Sequence, residues 1–310
     1  MKNKLNQTAI AYVGIIFVVF MWAVVPLVKK VLIGDAFSAS VYSAATGFTS
    51  ACVLMILGWR NLKALNREYF KVAVPTGMCL GAASLVQALA YNFNASPTNQ
   101  AFLENLSCII VPIILFVVIK KKPTVLVIAS SLMCLLSSMV LAGVFGTQMS
   151  FAAADMLNAL AGFLYGVNIA FTGIYAKKFN ASLYVMIQLF VQSLLGIVMA
   201  IAFNFICIGG SPIDPFVFSA NVWLILALVG VGVVSNALCW TIRTSAMKHV
   251  SASVVAVIMP FSAVLTSIFA VMAGQDELTA SLIVGAVLGI TASLISSFGD
   301  IRENNKGKAE

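Results

Sequence analysis

Apolar residues run along this chain in blocks of about twenty, and its polar residues are gathered into brief gaps between them, which is the pattern of membrane-spanning helices. The blocks predict spans over Ala9–Val28, Ala39–Gly58, Val72–Phe93, Thr98–Ile119, Val125–Gly143, Ala152–Ala176, Leu183–Ile208, Val222–Ile242, Ala252–Ala273 and Leu278–Phe298. Lys2 and Lys4 precede the first block as in a signal peptide, but the apolar run continues to Val28 without a small-residue cleavage pattern. It reads as the first transmembrane helix. The blocks leave no stretch for a soluble domain.

The fourth block contains the segment Ala101–Ile119, which carries a single carboxylate, Glu104. Ser96 and Pro97 suit a helix cap and first turn, and Lys120–Lys122 suit a membrane–water boundary. At about 1.5 Å per residue the helix from Pro97 to Ile119 would measure roughly 34 Å, enough to span about 30 Å of hydrocarbon. Glu104 would then lie roughly 10 Å inside. A charge at that depth costs on the order of 2.5 to 3.5 kcal/mol on insertion scales, so it must face protein or a wet cavity.

Composition fixes the class. With 61% hydrophobic and 9% charged residues and a mean hydropathy of +1.04, the chain is predicted to be an all-α integral membrane protein. The net charge of +8 does not point to nucleic acid, because the basic residues sit in the gaps, where they act as orientation signals. All six cysteines lie in apolar runs without close pairs, so they read as small hydrophobes and predict neither disulfides nor a metal site. No cofactor is predicted.

If the N-terminus is inside, all of the eighteen lysines and arginines except Lys29 and Lys30 fall on the cytoplasmic side. The positive-inside rule thus predicts a multi-pass protein of the cell membrane with both termini cytoplasmic. An even number of spans also invites an internal repeat. The fourth helix carries Pro112 before a polar break and the ninth carries Pro260 before another, each followed by one last span. The expectation is two inverted five-helix repeats, residues 1–147 and 148–310.

Three passages resemble the drug/metabolite transporter superfamily, specifically its ten-helix EamA-type members. MWAVVPLVKKVL at Met21–Leu32 is similar to the family's first-helix signature, matched by Trp22 and by Lys29 or Lys30. AFLENLSCIIVPIILFVVIKKKPT resembles its fourth helix, matched by Val111, Pro112, Lys122 and Pro123. VSASVVAVIMPFSAVLTSIFAVMAGQDELT looks like its ninth, ending in Gly274, Glu277, Leu278 and Thr279. Lysines replace the Glu often found after the fourth helix, and the second helix lacks the family's Arg. The resemblance implies a bundle in which helices one to four and six to nine enclose a central cavity, helices five and ten pack at the side, and a solute crosses by alternating access.

Polar groups inside spans mark helix contacts or a pathway, and helical spacing sorts them. Asn236, Trp240 and Arg243 share a face of the eighth helix, and Gln188 and Gln192 lie one turn apart in the seventh. Tyr165, Asn168 and Thr172 share a face of the sixth; Gln87, Tyr91 and Asn94 do so in the third. Together with Trp22 and Glu104, these faces supply aromatic walls and amides suited to a small metabolite. Each also has a purely structural explanation, as a bond to a neighbouring helix. Arg243 reads first as an anchor snorkelling to the cytoplasmic boundary and second as a substrate clamp. His249 reads as interfacial. Glu104 is a candidate group for proton coupling or amine binding, its structural alternative being a bond to Asn105 or Asn99. Pro112 and Pro260 are candidate bends for gating. The pairs Gly77/Gly81, Gly162/Gly166 and Gly285/Gly289 permit close helix approach, the last at a candidate dimer face; monomer and homodimer both stay open.

The expected function is secondary transport, as an exporter, of a small organic metabolite such as an amino acid, with protons as a candidate coupling partner. No nucleotide-binding loop accompanies it. An intramembrane enzyme would need a catalytic constellation that one histidine and no paired deep carboxylates do not supply. A channel-like facilitator is the remaining alternative.

Overall fold

The computed structural model describes residues 2–93, 100, 103–120, 122–141, 153–208, 211–272 and 280–306. Among these the chain is almost entirely helical. The segments are α1 (Lys2–Leu32), α2 (Ala39–Leu57), α3 (Arg67–Asn92), α4 (Ser107–Ile119), α5 (Val125–Leu141), α6 (Ala153–Tyr175) and α7 (Ala181–Ala202). They continue with α8 (Val222–Ala246), α9 in two pieces (Ala252–Ile258 and Phe261–Met272), and α10 (Ala280–Lys306). Seven described helices are each long and apolar enough to cross a membrane; Ser107–Ile119, Val125–Val140 and Ile283–Ser296 are shorter apolar helices.

Capping side chains set several starts. Asn66 accepts from the amides of Glu68 and Tyr69, Asn180 from those of Ser182 and Leu183, Asn221 from Trp223 and Ser251 from Val254. The start of α2 is capped from a distance. Ser38 makes no side-chain cap; instead Asp214, from the loop after α7, accepts from the amides of Ala39 at 2.9 Å and Ser40 at 2.8 Å, from the Ser40 hydroxyl, and from Asn92 Nδ2 at 2.9 Å. A buried carboxylate satisfies orphan amides and complements the helix dipole at once.

The helices pack in a pattern of pairs. α2 lies along α7, and α5 along α10. α3 touches α6 and α7, α4 touches α6, α8 touches α1 and α2, and α9 touches α1. Small residues permit the close crossings. A Cβ added at Gly77 would stand 2.9 Å from Gln188 Cα, one at Gly81 2.9 Å from Gln192 Cα, and one at Gly162 would run into the Leu103 carbonyl. The Gly285/Gly289 face is turned inward as well: the Ser137 hydroxyl of α5 donates to the Gly285 carbonyl and lies 2.9 Å from a Cβ built at Gly289. That face is therefore used within the chain, not offered for dimerisation. Large apolar side chains such as Ile10, Phe20, Phe48, Phe116 and Ile201 point outward, as helices bathed in lipid require.

Several predicted boundaries shift. The first helix continues through Lys29 and Lys30, so these lysines belong to its last turn and not to a loop. The seventh ends at Ala202, and Cys207–Ile208 pairs antiparallel with Ser211–Pro212. The fourth span is not one helix: Leu103 and Glu104 are helical, Asn105 and Leu106 form a turn, and α4 proper starts at Ser107. Pro112 lies beyond this break, inside continuous helix. Its missing N–H would leave the Cys108 carbonyl unpaired, and the Ser131 hydroxyl of α5 donates to it at 2.9 Å. Ser96, Pro97, Asn94, Asn99, the 147/148 repeat boundary and Gly274–Thr279 lie outside the described residues.

Candidate functional site

Three irregularities converge on the centre of the bundle. Besides the turn at Asn105–Leu106, α9 breaks at Met259–Pro260, and α8 is wound as a π-helix over Gly232–Cys239. Departures from α-geometry release backbone groups that need other partners. The Gly232 carbonyl accepts from the Ser50 hydroxyl at 2.7 Å, and the Ser235 carbonyl accepts from Trp22 Nε1 at 3.1 Å. The widened turn of α8 thereby fixes the indole of α1.

Between these elements lies a cavity of about 110 Å³. Its lining comes from α1 to α3, the start of α4 and the residues leading into it, and α6 to α9; among the described residues none of α5 or α10 takes part. One wall is aromatic: Trp22 and Trp240 have ring centroids 5.1 Å apart, and Tyr165 stacks on Trp240 at 6.0 Å. Gln87, Gln192 and Asn236 bring amides, and Glu104 and Pro260 also face the space.

Arg243 overturns the snorkelling expectation. It is 1% exposed, its Nη2 donates to Asn168 Oδ1 at 3.0 Å, and its guanidinium carbon lies 3.7 Å from the Trp240 ring centroid. The side chain turns inward because α8 presents this face to α6 and α7, where an acceptor and an aromatic face await it.

Not every predicted residue reaches the cavity lining. Asn168 stands behind Arg243 and donates Nδ2 to the Thr76 carbonyl at 2.9 Å. Gln188 donates to Thr76 Oγ1 at 2.9 Å, and that hydroxyl also meets Tyr184 at 2.7 Å. These groups form a buried polar layer under the cavity. Tyr91 donates its hydroxyl to the Pro26 carbonyl at 3.1 Å, bracing the turn of α1 before Lys29. Pro112 is buried within α4. Asn105, a suggested partner of Glu104, donates instead to Ser138 Oγ at 2.6 Å. His249 is exposed in the turn that follows α8.

The residues missed from sequence are Lys29, Tyr42, Ser84 and Gln100. Lys29 is 7% exposed; its ammonium donates to Gln87 Oε1, which also accepts from the Tyr165 hydroxyl at 3.2 Å. It lies 5.8 Å from the Tyr42 ring centroid and within electrostatic reach of Glu104. Its neighbour Lys30 is exposed. Lys29 broke the orientation rule, and that violation was the available signal.

Residues 156–298 match the EamA-like transporter family, a family of membrane transporters within the drug/metabolite superfamily. Of the three resembling passages, the one around the ninth helix falls inside this match. No curated protein matches the chain. A crystal structure of another protein is similar with a TM-score of 0.75 at 16% identity, covering 96% of this chain and 98% of that one. At that identity the likeness is one of fold. Over residues 156–298 the chain is thus similar to the EamA-like transporter family, and its long apolar helices indicate a multi-pass membrane protein.

Proposed function

We propose, from the premise of an EamA-like transporter, that this protein is a secondary carrier exporting a small organic metabolite such as an amino acid by alternating access through the central cavity. The observation that carries the reading is the meeting of two helix breaks and one π-segment around a cavity holding Lys29, Glu104 and Arg243. Discontinuous helices at the centre of a bundle are where transporters build their sites. Trp22, Trp240 and Tyr165 would hold an apolar body; Gln87, Gln192 and Asn236 would meet its polar groups.

The reading includes ten spans in two inverted five-helix repeats. Its support is the pairing pattern, which maps onto itself when each helix is exchanged for the one five places along: α3–α6 becomes α8–α1, and α4–α6 becomes α9–α1. The breaks before α4 and within α9 exchange in the same way. Such a pair of broken helices gives two equivalent hinges, one for each access state. Both termini would be cytoplasmic, and a cysteine at Thr124 should be labelled from the inside only.

Glu104 is the proposed coupling group, beside Lys29. Uptake of labelled metabolites into proteoliposomes, with and without an imposed pH gradient, tests this for wild type and Glu104→Gln. The variant should lose its response to the gradient. Unchanged gradient dependence would remove Glu104 from coupling, and failure of any solute to move in the wild type would count against a carrier.

A further inference from the structure

Arg243 is a buried charge with no anionic partner among the described residues. Its described partners are the amide oxygen of Asn168, the face of Trp240, and Trp22 with its ring centroid 5.7 Å away, all uncharged. Its Nε has no acceptor among the described residues. The ionisable groups close to it are the phenols of Tyr165 and Tyr184, not carboxylates. Elsewhere in the lining Glu104 and Lys29 offset each other, and Tyr165 stands within electrostatic reach of both Glu104 and Arg243. The lining thus holds two cations and one carboxylate. A buried guanidinium without a counter-anion is costly, and its planar fork matches a carboxylate bidentately.

We propose that Arg243 is the carboxylate-recognition residue, so that the transported solute is an organic acid whose single carboxylate meets Arg243 while a flat apolar body lies against Trp22, Trp240 and Tyr165. This rests on the carrier reading above and narrows its substrate class. Asn168 is a positioning residue: it holds the guanidinium with a neutral acceptor and leaves its charge for the solute. A solute bearing an amine but no carboxylate would bring a second cation to Arg243 and be rejected. An added amine is compatible with binding, since Glu104 lines the same cavity.

The test uses the full chain, purified for binding measured by quenching of its tryptophan fluorescence and reconstituted for transport. The probes are 3-phenylpropionate, phenylalanine, 2-phenylethylamine and inorganic phosphate. The two carboxylates should bind and cross, and the amine and phosphate should bind at least tenfold more weakly. Arg243→Lys keeps the charge but not the fork, and should weaken both carboxylates at least tenfold while leaving the melting temperature of the unliganded protein within a few degrees. Equal binding of 2-phenylethylamine or phosphate, binding of none of the four, or unchanged carboxylate binding by a folded Arg243→Lys protein overturns the proposal. Probes that cross without carboxylate preference sink the clamp and leave the carrier standing. Carboxylates that bind through Arg243 but never cross sink the carrier and leave the clamp.

Discussion

Replacing Asn168 by Asp changes one atom in the buried layer and gives Arg243 a permanent counter-anion. The Asn168 Oδ1 to Arg243 Nη2 distance is 3.0 Å, so the new charge would sit where a solute carboxylate would otherwise supply the only balance. Two unit charges about 4 Å apart interact by about 4 kcal/mol at an effective dielectric of 20. Against this, the substitution removes the donor to the Thr76 carbonyl, now 2.9 Å away. Losing that bond and facing oxygen to oxygen costs about 1 to 3 kcal/mol. A solute must then displace or share a pair whose net strength is about 1 to 3 kcal/mol, and each 1.4 kcal/mol is tenfold in affinity. Asn168→Asp is expected to weaken 3-phenylpropionate binding by about five- to a hundredfold, with a melting temperature of the unliganded protein at or above that of the wild type. Asn168→Ala, which removes the acceptor without adding charge, should weaken it less. Titration of the fluorescence quench in both variants decides the matter. If Asp and Ala are equally damaging, Asn168 acts through its bond to Thr76; if Asp binds as wild type does, Arg243 is not an anion clamp.

Other outcomes follow from packing and capping. Gly77→Val places side-chain atoms against the backbone of Gln188 and should destabilise the α3–α7 contact by about 1 to 3 kcal/mol in thermal unfolding, whereas Gly230→Ala, with open space around its Cβ, should not destabilise. Asp214→Ala strips the start of α2 of its acceptor and should cost about 1 to 3 kcal/mol by the same assay; full stability would show that the cap is dispensable. Ser131→Ala leaves the Cys108 carbonyl opposite Pro112 without its partner and should cost about 0.6 to 1.7 kcal/mol. Lys29→Gln removes the cation beside Glu104 and should lower transport without changing the carboxylate preference, because that preference belongs to Arg243.

Much of the bundle was legible in one dimension. Runs of apolar residues mark spans because the bilayer demands about twenty of them, whatever they pack against. Glu104, Trp22, Gln87, Tyr165, Gln192, Asn236, Trp240, Arg243 and Pro260 could be picked out because polar and aromatic groups inside such runs need an interior to face.

Tertiary structure decided what composition cannot encode. Lys29 and Lys30 are identical in type and adjacent in sequence, yet successive helical positions point about 100° apart, so one enters the cavity and the other does not. The direction of Arg243 depended on finding Asn168 and Trp240 across the bundle. The fourth span, apolar and unbroken as a string, turns at Asn105–Leu106 because its neighbours take up the departures from helix: Ser138 holds the Asn105 side chain, and Gly162 lets the Leu103 carbonyl approach. Sequence determined that this chain lives in lipid and which residues need an interior; only the packed bundle determined which of them share one.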